Sequence, residues 1–258
     1  MSAHLESLAG FAETLAEAAA EVSLKYFRTP VAADAKADLS PVTIADRETE
    51  TRLREMIEAA YPEHGIFGEE HGSVRTNAEY VWVLDPIDGT QSFVTGKPLF
   101  GTLIGLLHQE KAVMGVMDMP ALRERWVGID GRPTTFNGEA LRSRECADLG
   151  QAWLYSTSPQ MFTGTHFPRF EALRHATRRT VYGAECQAYG LLANGWVDVV
   201  CEDTMGPYDY VALAPIVEGA GGVMTDWSGR PLNLDGDGTV LAVGDPSLHG
   251  AVMDILNG

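Results

Sequence analysis

A continuous apolar run, Tyr80-Val81-Trp82-Val83-Leu84, ends directly on Asp85-Pro86-Ile87-Asp88-Gly89-Thr90, and this junction constrains the fold more than any other stretch of the chain. The run reads as a buried strand bounded by a turn. On an unbroken strand, residues three apart point to opposite faces. Pro86 cannot donate to a sheet ladder, so the strand is expected to break immediately after Asp85 and let Asp88 fold back beside it. Two carboxylates that close repel unless a proton or a cation sits between them, and oxygens without thiolates or paired imidazoles favour a hard ion such as Mg²⁺. Gly89 lets the backbone approach a ligand closely, and Thr90 adds a hydroxyl. A helical turn starting near Thr90 would present free N–H groups to a phosphate. The same six residues also fit a plain strand-to-loop turn, with Asp85 capping a helix and Asp88 in solvent.

The 258 residues are enough to bury a large core, either as one α/β unit or as two tightly joined halves. The 36 acidic residues outnumber the 19 basic ones and give a formal net charge of −17. Nucleic acid and anionic membrane would be repelled by such a chain, and neither is expected as a partner. Most of the excess serves solubility, yet acids gathered around cations would invert the local potential and allow an anionic phosphate to bind. Cys146, Cys186 and Cys201 have no CxxC spacing, so neither a disulfide framework nor a zinc site is expected, and a reducing cytoplasm fits best. Glu6, Glu13, Glu17 and Glu21 interrupt the apolar residues at the start, which argues against a signal peptide, and no apolar run is long enough to cross a bilayer.

Leu5, Leu8, Phe11, Leu15, Ala19, Val22 and Tyr26 recur at helical spacing until Arg28-Thr29-Pro30. A polar loop with Asp34, Lys36, Asp38 and Ser40-Pro41 leads to a second helix carrying Leu53, Met56, Ile57 and Ala60, with Thr43 and Asp46 near its start. Gly65-Ile66-Phe67-Gly68 reads as a short strand delivering Glu69 and Glu70. Segments 101–107 and 112–117 read as paired strands joined around Gln109-Glu110-Lys111, with 125–129 as a third, so the first half is expected to place helices on an antiparallel sheet. From Trp153 onward strands (153–156, 180–182, 196–201, 222–225) alternate with helices (167–178, 186–193, 208–218), which implies a layered α/β second half.

Asp46, Glu69 with Glu70, the Asp85/Asp88 pair and Asp209 all fall at the ends of expected elements, where sites are usually built. A two-metal phosphohydrolase needs several carboxylates converging from separate segments, and this inventory suffices. Helix capping remains the plainer role for Asp46 and Asp209.

Together, Gly68-Glu69-Glu70, Trp82-Val83-Leu84-Asp85-Pro86-Ile87-Asp88-Gly89-Thr90 and Tyr208-Asp209 resemble the inositol monophosphatase superfamily in order and spacing. The likeness runs from Thr43-Ile44-Ala45-Asp46 to Glu218-Gly219-Ala220-Gly221-Gly222, nearly the whole chain. It implies a layered αβαβα sandwich of the sugar-phosphatase type, an α+β architecture with one catalytic domain over 1–258 and subdomains of about 1–142 and 143–258. It further implies two or three Mg²⁺ ions, with Mn²⁺ as a substitute, held by Glu69, Asp85, Asp88, Asp209 and the Ile87 carbonyl. Thr90 and Asp46 would orient the attacking water, with Glu69 counted among the catalytic groups. The Gly89 and Thr90 amides would hold phosphate, Glu202 would contact the rest of the substrate, and Glu70 would support the ligands from behind. The implied chemistry is in-line attack of an activated water on a small phosphomonoester, without a covalent enzyme intermediate. Lithium inhibition and a homodimer are implied on the same ground.

Several details resemble one branch, histidinol-phosphate phosphatase of the inositol-monophosphatase type: the run from Asp88 to Leu103, Glu69-Glu70-His71-Gly72 and Pro207-Tyr208-Asp209-Tyr210. Gly183-Ala184-Glu185-Cys186-Gln187-Ala188-Tyr189 is similar to that branch's Asp-Cys-x-x-Tyr pattern, except that Glu185 stands where aspartate is expected. One methylene in a pocket wall can shift specificity. Acids such as Glu185, Glu202 and Asp203 would complement the ammonium and imidazole of histidinol, whereas a polyol needs neutral or mixed hydrogen-bond partners. Inositol phosphate, or another small sugar or nucleotide phosphate, is the alternative substrate. An aspartyl-phosphate phosphatase would need Asp-x-Asp in place of the observed Asp-x-x-Asp, and a non-catalytic phosphate and metal sensor would need none of the water-orienting groups.

Other signals carry less. Asp235-Gly236-Asp237-Gly238 lacks the glutamate of a calcium loop and is expected to be a tight turn. Gly219, Gly221 and Gly222 lie between a helix and a strand, the reverse of a dinucleotide fingerprint, and are expected to stop the helix and permit close packing. The seven histidines show no pair at ligand spacing and are expected to be mostly on the surface, with His71 beside the site; the tryptophans are expected to anchor core or loops.

Overall fold

A computed structural model describes residues 2–29, 33–35 and 41–258. Lys36, Asp38 and Ser40 of the expected polar loop lie outside the described residues. In chain order the elements begin with α1 (Ser2–Tyr26), β1 (Ala33–Ala35), β2 (Pro41–Thr43), α2 (Ile44–Ala60), β3 (Gly65–Gly68), β4 (Gly72–Val74), β5 (Tyr80–Asp88) and α3 (Thr90–Val94). A run of strands follows: β6 (Gly101–His108), β7 (Lys111–Met119), β8 (Glu124–Ile129), β9 (Thr135–Phe136) and β10 (Glu139–Ala140). The second half comprises β11 (Trp153–Ser156), α4 (His166–Ala176), β12 (Arg179–Tyr182), α5 (Gln187–Ala193), β13 (Val199–Glu202), α6 (Pro207–Tyr210), α7 (Leu213–Gly219), β14 (Val223–Thr225), β15 (Val240–Val243) and α8 (Ser247–Asn257).

Alternation along β5 sorts the core into layers. Trp82 and Leu84 face one side, with Ile104, Leu106, Met114 and Val116 of the neighbouring strands, and are covered by Leu8, Leu15 and Leu53 of α1 and α2. Val81 and Val83 face the other side and join Met117, Trp126, Tyr189, Leu213 and Ile216 in a middle layer that also touches Val200 and Ala242 of the second sheet. That sheet's outer face is closed by Phe170 and Leu173 of α4 and by Leu248, Val252 and Leu256 of α8. The result is a five-layer αβαβα sandwich, in line with the expected architecture. Each large apolar side chain buried this way contributes about 1.5–3 kcal/mol.

The large sheet runs β10-β9-β8-β7-β6-β5-β3-β4, and the smaller one β12-β11-β13-β15-β14. The expectation of an antiparallel first sheet is corrected at one place: β3 runs parallel to β5, because β4 turns back antiparallel along the outer side of β3 and the chain then reverses again to enter β5 on the inner side. The smaller sheet is mixed, with β11 parallel to both β12 and β13 while β15 is antiparallel to β13 and β14. The helix expected over 208–218 is divided into α6 and α7. Pro215 has no N–H for the Val211 carbonyl, so a continuous ladder cannot cross this point. The divided segment lies very close to the large sheet: a Cβ added at Gly115 would fall 1.8 Å from the Ala212 carbonyl oxygen. That close approach brings α6, and Asp209 with it, over the end of β5. Of the seven histidines, expected mostly on the surface, only His64 is buried, and it accepts a hydrogen bond at Nδ1 from the Trp82 indole at 3.1 Å. Trp82, Trp126 and Trp227 are core residues, whereas Trp153 and Trp196 are exposed.

Candidate active site

The turn at Asp85 forms differently from the expected strand break, with the same outcome. The β5 ladder continues past Pro86: Asp85 pairs with Leu103 and Asp88 with Gly101, so β5 carries one more residue than β6 over this interval. Such a bulge changes the facing parity, and two carboxylates three apart come to share one side. The turn satisfies its own polar groups. Ile87 N–H donates to Asp85 Oδ1 at 3.0 Å, Thr102 Oγ1 donates to the Pro86 carbonyl at 2.8 Å, and Thr90 Oγ1 donates to the Ile87 carbonyl at 3.1 Å. Gly89 sits at φ 80°, the left-handed region open to glycine, directly before α3.

Asp85, Asp88 and Asp209 each place a carboxylate oxygen within 4.8 Å of the other two. Burial, followed by the charges of Glu69, Asp88, Asp209 and Asp46, pushes the Asp85 carboxyl well above its ordinary range. Burial likewise raises Asp88 to about 6, although the Cys186 amide, 2.7 Å from Asp88 Oδ2, opposes the shift. Asp209 is raised well above its ordinary range by burial and then by Asp88, against the hydrogen bond that its Oδ2 accepts from Gly206 N–H at 2.6 Å. This last bond is the helix-start contact anticipated for Asp209, so the residue closes α6 and faces the cluster at once. Carboxyls that resist ionisation through burial, and through the negative charges around them, are arranged for a shared positive charge. The donors are all oxygens, which suits Mg²⁺ or Mn²⁺ and not a soft metal.

Of the remaining expected residues, Asp46 is buried in the first turn of α2, and Glu69 follows β3 with its N–H on the Leu84 carbonyl at 3.2 Å. Both are near enough to raise Asp85. Glu185 lies in the turn before α5, and Glu202 ends β13. Asp88, Gly89, Glu185, Glu202 and Asp209 line one cavity of about 130 Å³ together with Thr157, Met161, Cys186, Tyr189, Met205 and Leu213. A larger open groove, about 710 Å³, runs along α1 past Arg123 and Arg125 and contains none of the expected site residues. Glu202 Oε1 accepts from Thr157 N–H at 2.8 Å and from its hydroxyl at 3.1 Å, while Oε2 is buried without a hydrogen-bond partner. Burial raises the Glu202 carboxyl to about 8.

Two expectations change. Asp203 does not line the cavity; its carboxylate is engaged by His166 Nδ1 at 2.7 Å and Thr204 N–H at 2.8 Å. The His71 ring contacts Thr51 Oγ1 and the Arg47 carbonyl on α2, away from the cavity lining. Glu50 was not anticipated. It is fully buried and accepts Glu70 N–H at 2.6 Å, His71 N–H at 3.2 Å and Arg54 Nε at 2.7 Å, which fixes the turn that presents Glu69. Its four-residue spacing from Asp46 puts both on one helix face, and that spacing was the available signal. Ser92 and Thr157 gave none.

The protein matches the model of the inositol monophosphatase family over residues 4–257. It is 44% identical to the bifunctional phosphatase IMPL2, chloroplastic, of Arabidopsis thaliana, over 98% of this chain and 75% of that protein. A histidinol-phosphatase of Chlorobaculum parvum is 34% identical over 88% of this chain and 89% of its own length. Among solved structures, an inositol monophosphatase from Zymomonas mobilis superposes with a TM-score of 0.91 at 44% identity, covering 98% of both chains. Motifs, five-layer fold, acidic cluster and full-length similarity agree, and the chain belongs to the inositol monophosphatase family.

Proposed function

We propose that this phosphoric monoester hydrolase uses Mg²⁺ to convert L-histidinol phosphate to L-histidinol and phosphate, a step of histidine biosynthesis. The observation that carries the reading is the cluster of Asp85, Asp88 and Asp209, of which Asp88 and Asp209 line a cavity that also holds two more carboxylates, Glu185 and Glu202. Glu69, Asp85, Asp88, Asp209 and the Ile87 carbonyl would hold two or three ions. When bound, divalent ions supply charge neutralisation at the phosphoryl oxygens, a more acidic water and relief of charge on the departing alkoxide.

The chain's own residues then have separate tasks. The Gly89 and Thr90 amides receive phosphate oxygens where the left-handed Gly89 opens α3. The Thr90 hydroxyl, with Asp46 and Glu69, orients the attacking water. Glu185 and Glu202 face the alcohol, and Glu202 lies deep enough to be wasteful unless a donor meets it. A cationic amine meets that need better than a hydroxyl. The protein acts as one catalytic unit, a homodimer in the cytoplasm, with no nucleic acid or membrane partner.

A second reading, inositol phosphate or a related sugar phosphate as the substrate, is favoured by the likeness to the Zymomonas mobilis inositol monophosphatase. A sensor without catalysis is disfavoured by the complete set of carboxylates. A panel of phosphomonoesters with steady-state kinetics separates these: L-histidinol phosphate is expected to give the highest kcat/KM. A wide preference for inositol phosphate would reject the substrate, and phosphate release no faster than background with Mg²⁺ present would reject the enzyme.

A further inference from the structure

We propose that Ser92 is a positioning residue for substrate selection, holding Glu185 so that the cavity wall favours phosphomonoesters of amino alcohols over those of neutral alcohols. The inference rests on the site assignment above and adds how the wall is held and what it selects.

Ser92 is buried in α3, and its hydroxyl donates to Glu185 Oε1 at 2.5 Å. Glu185 itself sits at φ 51°, a region that side-chain-bearing residues seldom occupy and that costs about 1 kcal/mol. The next residue, Cys186, donates its N–H to Asp88. Two adjacent residues of the β12–α5 turn are thus tied to the turn that carries the acidic cluster, one through its backbone and one through its side chain. The stem of Glu185 lies on Gly89, where an added Cβ would meet Glu185 Cγ at 2.8 Å. With Oε1 fixed by Ser92, the direction of Oε2 is fixed too.

Glu185 Oε2 is buried with no hydrogen-bond partner, and the same holds for Glu202 Oε2 and the Tyr189 hydroxyl. Glu202 and Tyr189 are each 1% exposed, and all three residues line the same cavity beside Asp88 and Gly89. Buried oxygens left without partners cost about 1–3 kcal/mol each, so the Glu185 and Glu202 oxygens call for a ligand that donates, while the Tyr189 hydroxyl can meet either a donor or an acceptor. A protonated amine brings three N–H donors and a positive charge to the open glutamate oxygens; a hydroxyl brings one donor and no charge. The side chain that reaches Ser92 is a glutamate, and an aspartate at 185 would be one methylene shorter.

The test is steady-state kinetics of the full-length enzyme with Mg²⁺ on two substrate pairs: L-histidinol phosphate against 3-(imidazol-4-yl)propyl phosphate, and 2-aminoethyl phosphate against ethyl phosphate. The wild type is expected to favour the amino member through KM. Ser92→Ala is expected to raise KM for the amino member about tenfold with kcat within about twofold, the loss of roughly one charge-assisted contact. Ser92→Thr, which keeps the hydroxyl, is expected to retain the preference, and Ser92→Ala is expected to add nothing on a Glu185→Gln background. Equal losses on both members of a pair, additive effects of the two substitutions, or no hydrolysis of either amino member would overturn the proposal. Amine preference in the second pair without turnover of histidinol phosphate would support the positioning role and reject the histidinol substrate. Turnover of histidinol phosphate no better than of its deamino analogue would do the reverse.

Discussion

Asp85→Asn separates charge from shape at the centre of the acidic cluster, because asparagine still accepts the Ile87 N–H that Asp85 Oδ1 accepts at 3.0 Å. Carboxylate oxygens within 4.8 Å of one another repel by at least about 3.5 kcal/mol per ionised pair at an effective dielectric of about 20. Proton uptake limits the strain: near neutral pH, protonating a carboxyl of ordinary pKa costs about 4 kcal/mol, which is the most the cluster can store on one group. After allowing about 1 kcal/mol for the weaker acceptor, the substitution is expected to stabilise the metal-free protein by about 2 kcal/mol. For a chain of this size that raises Tm by about 4–8 °C. With Mg²⁺ the order inverts, since a ligand at a hundredfold over its Kd adds about 2.7 kcal/mol to a protein that binds it and little to one that has lost a ligating group. Calorimetric scans of both proteins in EDTA and in saturating MgCl₂ measure all four values. A lower Tm for Asp85→Asn in EDTA, or equal stabilisation of both proteins by Mg²⁺, would refute the reasoning.

Asp88→Asn is expected to abolish turnover, by about a thousandfold or more, while the far-ultraviolet circular dichroism stays unchanged; retained activity would contradict its role as a ligand. The metal-free protein is expected to lose stability as pH rises through about 6 and toward about 8, the raised values of Asp88 and Glu202. The sign follows from linkage: these carboxyls hold protons more tightly in the native state, so their contribution is full below the ordinary carboxylate range and disappears as they ionise. Urea midpoints across that interval in EDTA check it, and Glu202→Gln is expected to flatten the upper part of the curve. Glu50→Ala is expected to cost about 3–5 kcal/mol by leaving Arg54 and two backbone N–H groups without their acceptor, measured as a lower urea midpoint. It is also expected to raise the Mg²⁺ concentration needed for half-maximal activity, because the turn presenting Glu69 loosens.

Much of this arrangement was legible from the chain alone because its signals were local. The strand at Gly65–Gly68, the pairing of β6 with β7 and the start of α3 follow from periodicity and turn residues close in sequence. The four carboxylates at element ends were identifiable for the same reason. What escaped depended on contacts between distant segments. The parallel placement of β3 beside β5 follows from β4 taking the outer edge of the sheet, which the sequence does not state. The bulge that carries β5 past Pro86 depends on β6 opposite it. The breakage of the 208–218 helix could have been read from Pro215, but its consequence could not, since only the contact of Ala212 with Gly115 shows why Asp209 is brought over the sheet. The engagement of Asp203 by His166 was similarly hidden, as 37 residues separate them. Glu50 was marked only by its spacing from Asp46, and its burial follows from the way the turn at Glu69 folds onto α2.

Catalysis as proposed requires separate carboxylates to grip divalent ions at one place. Anomalous diffraction from crystals soaked in Mn²⁺ tests this most directly. Strong anomalous peaks are expected between Asp85, Asp88 and Asp209, with Glu69 and the Ile87 carbonyl completing the shell at oxygen–metal distances of about 2.0–2.3 Å. A structure in which Mn²⁺ occupies other acids of this acidic chain and leaves that cluster without an anomalous peak would contradict it.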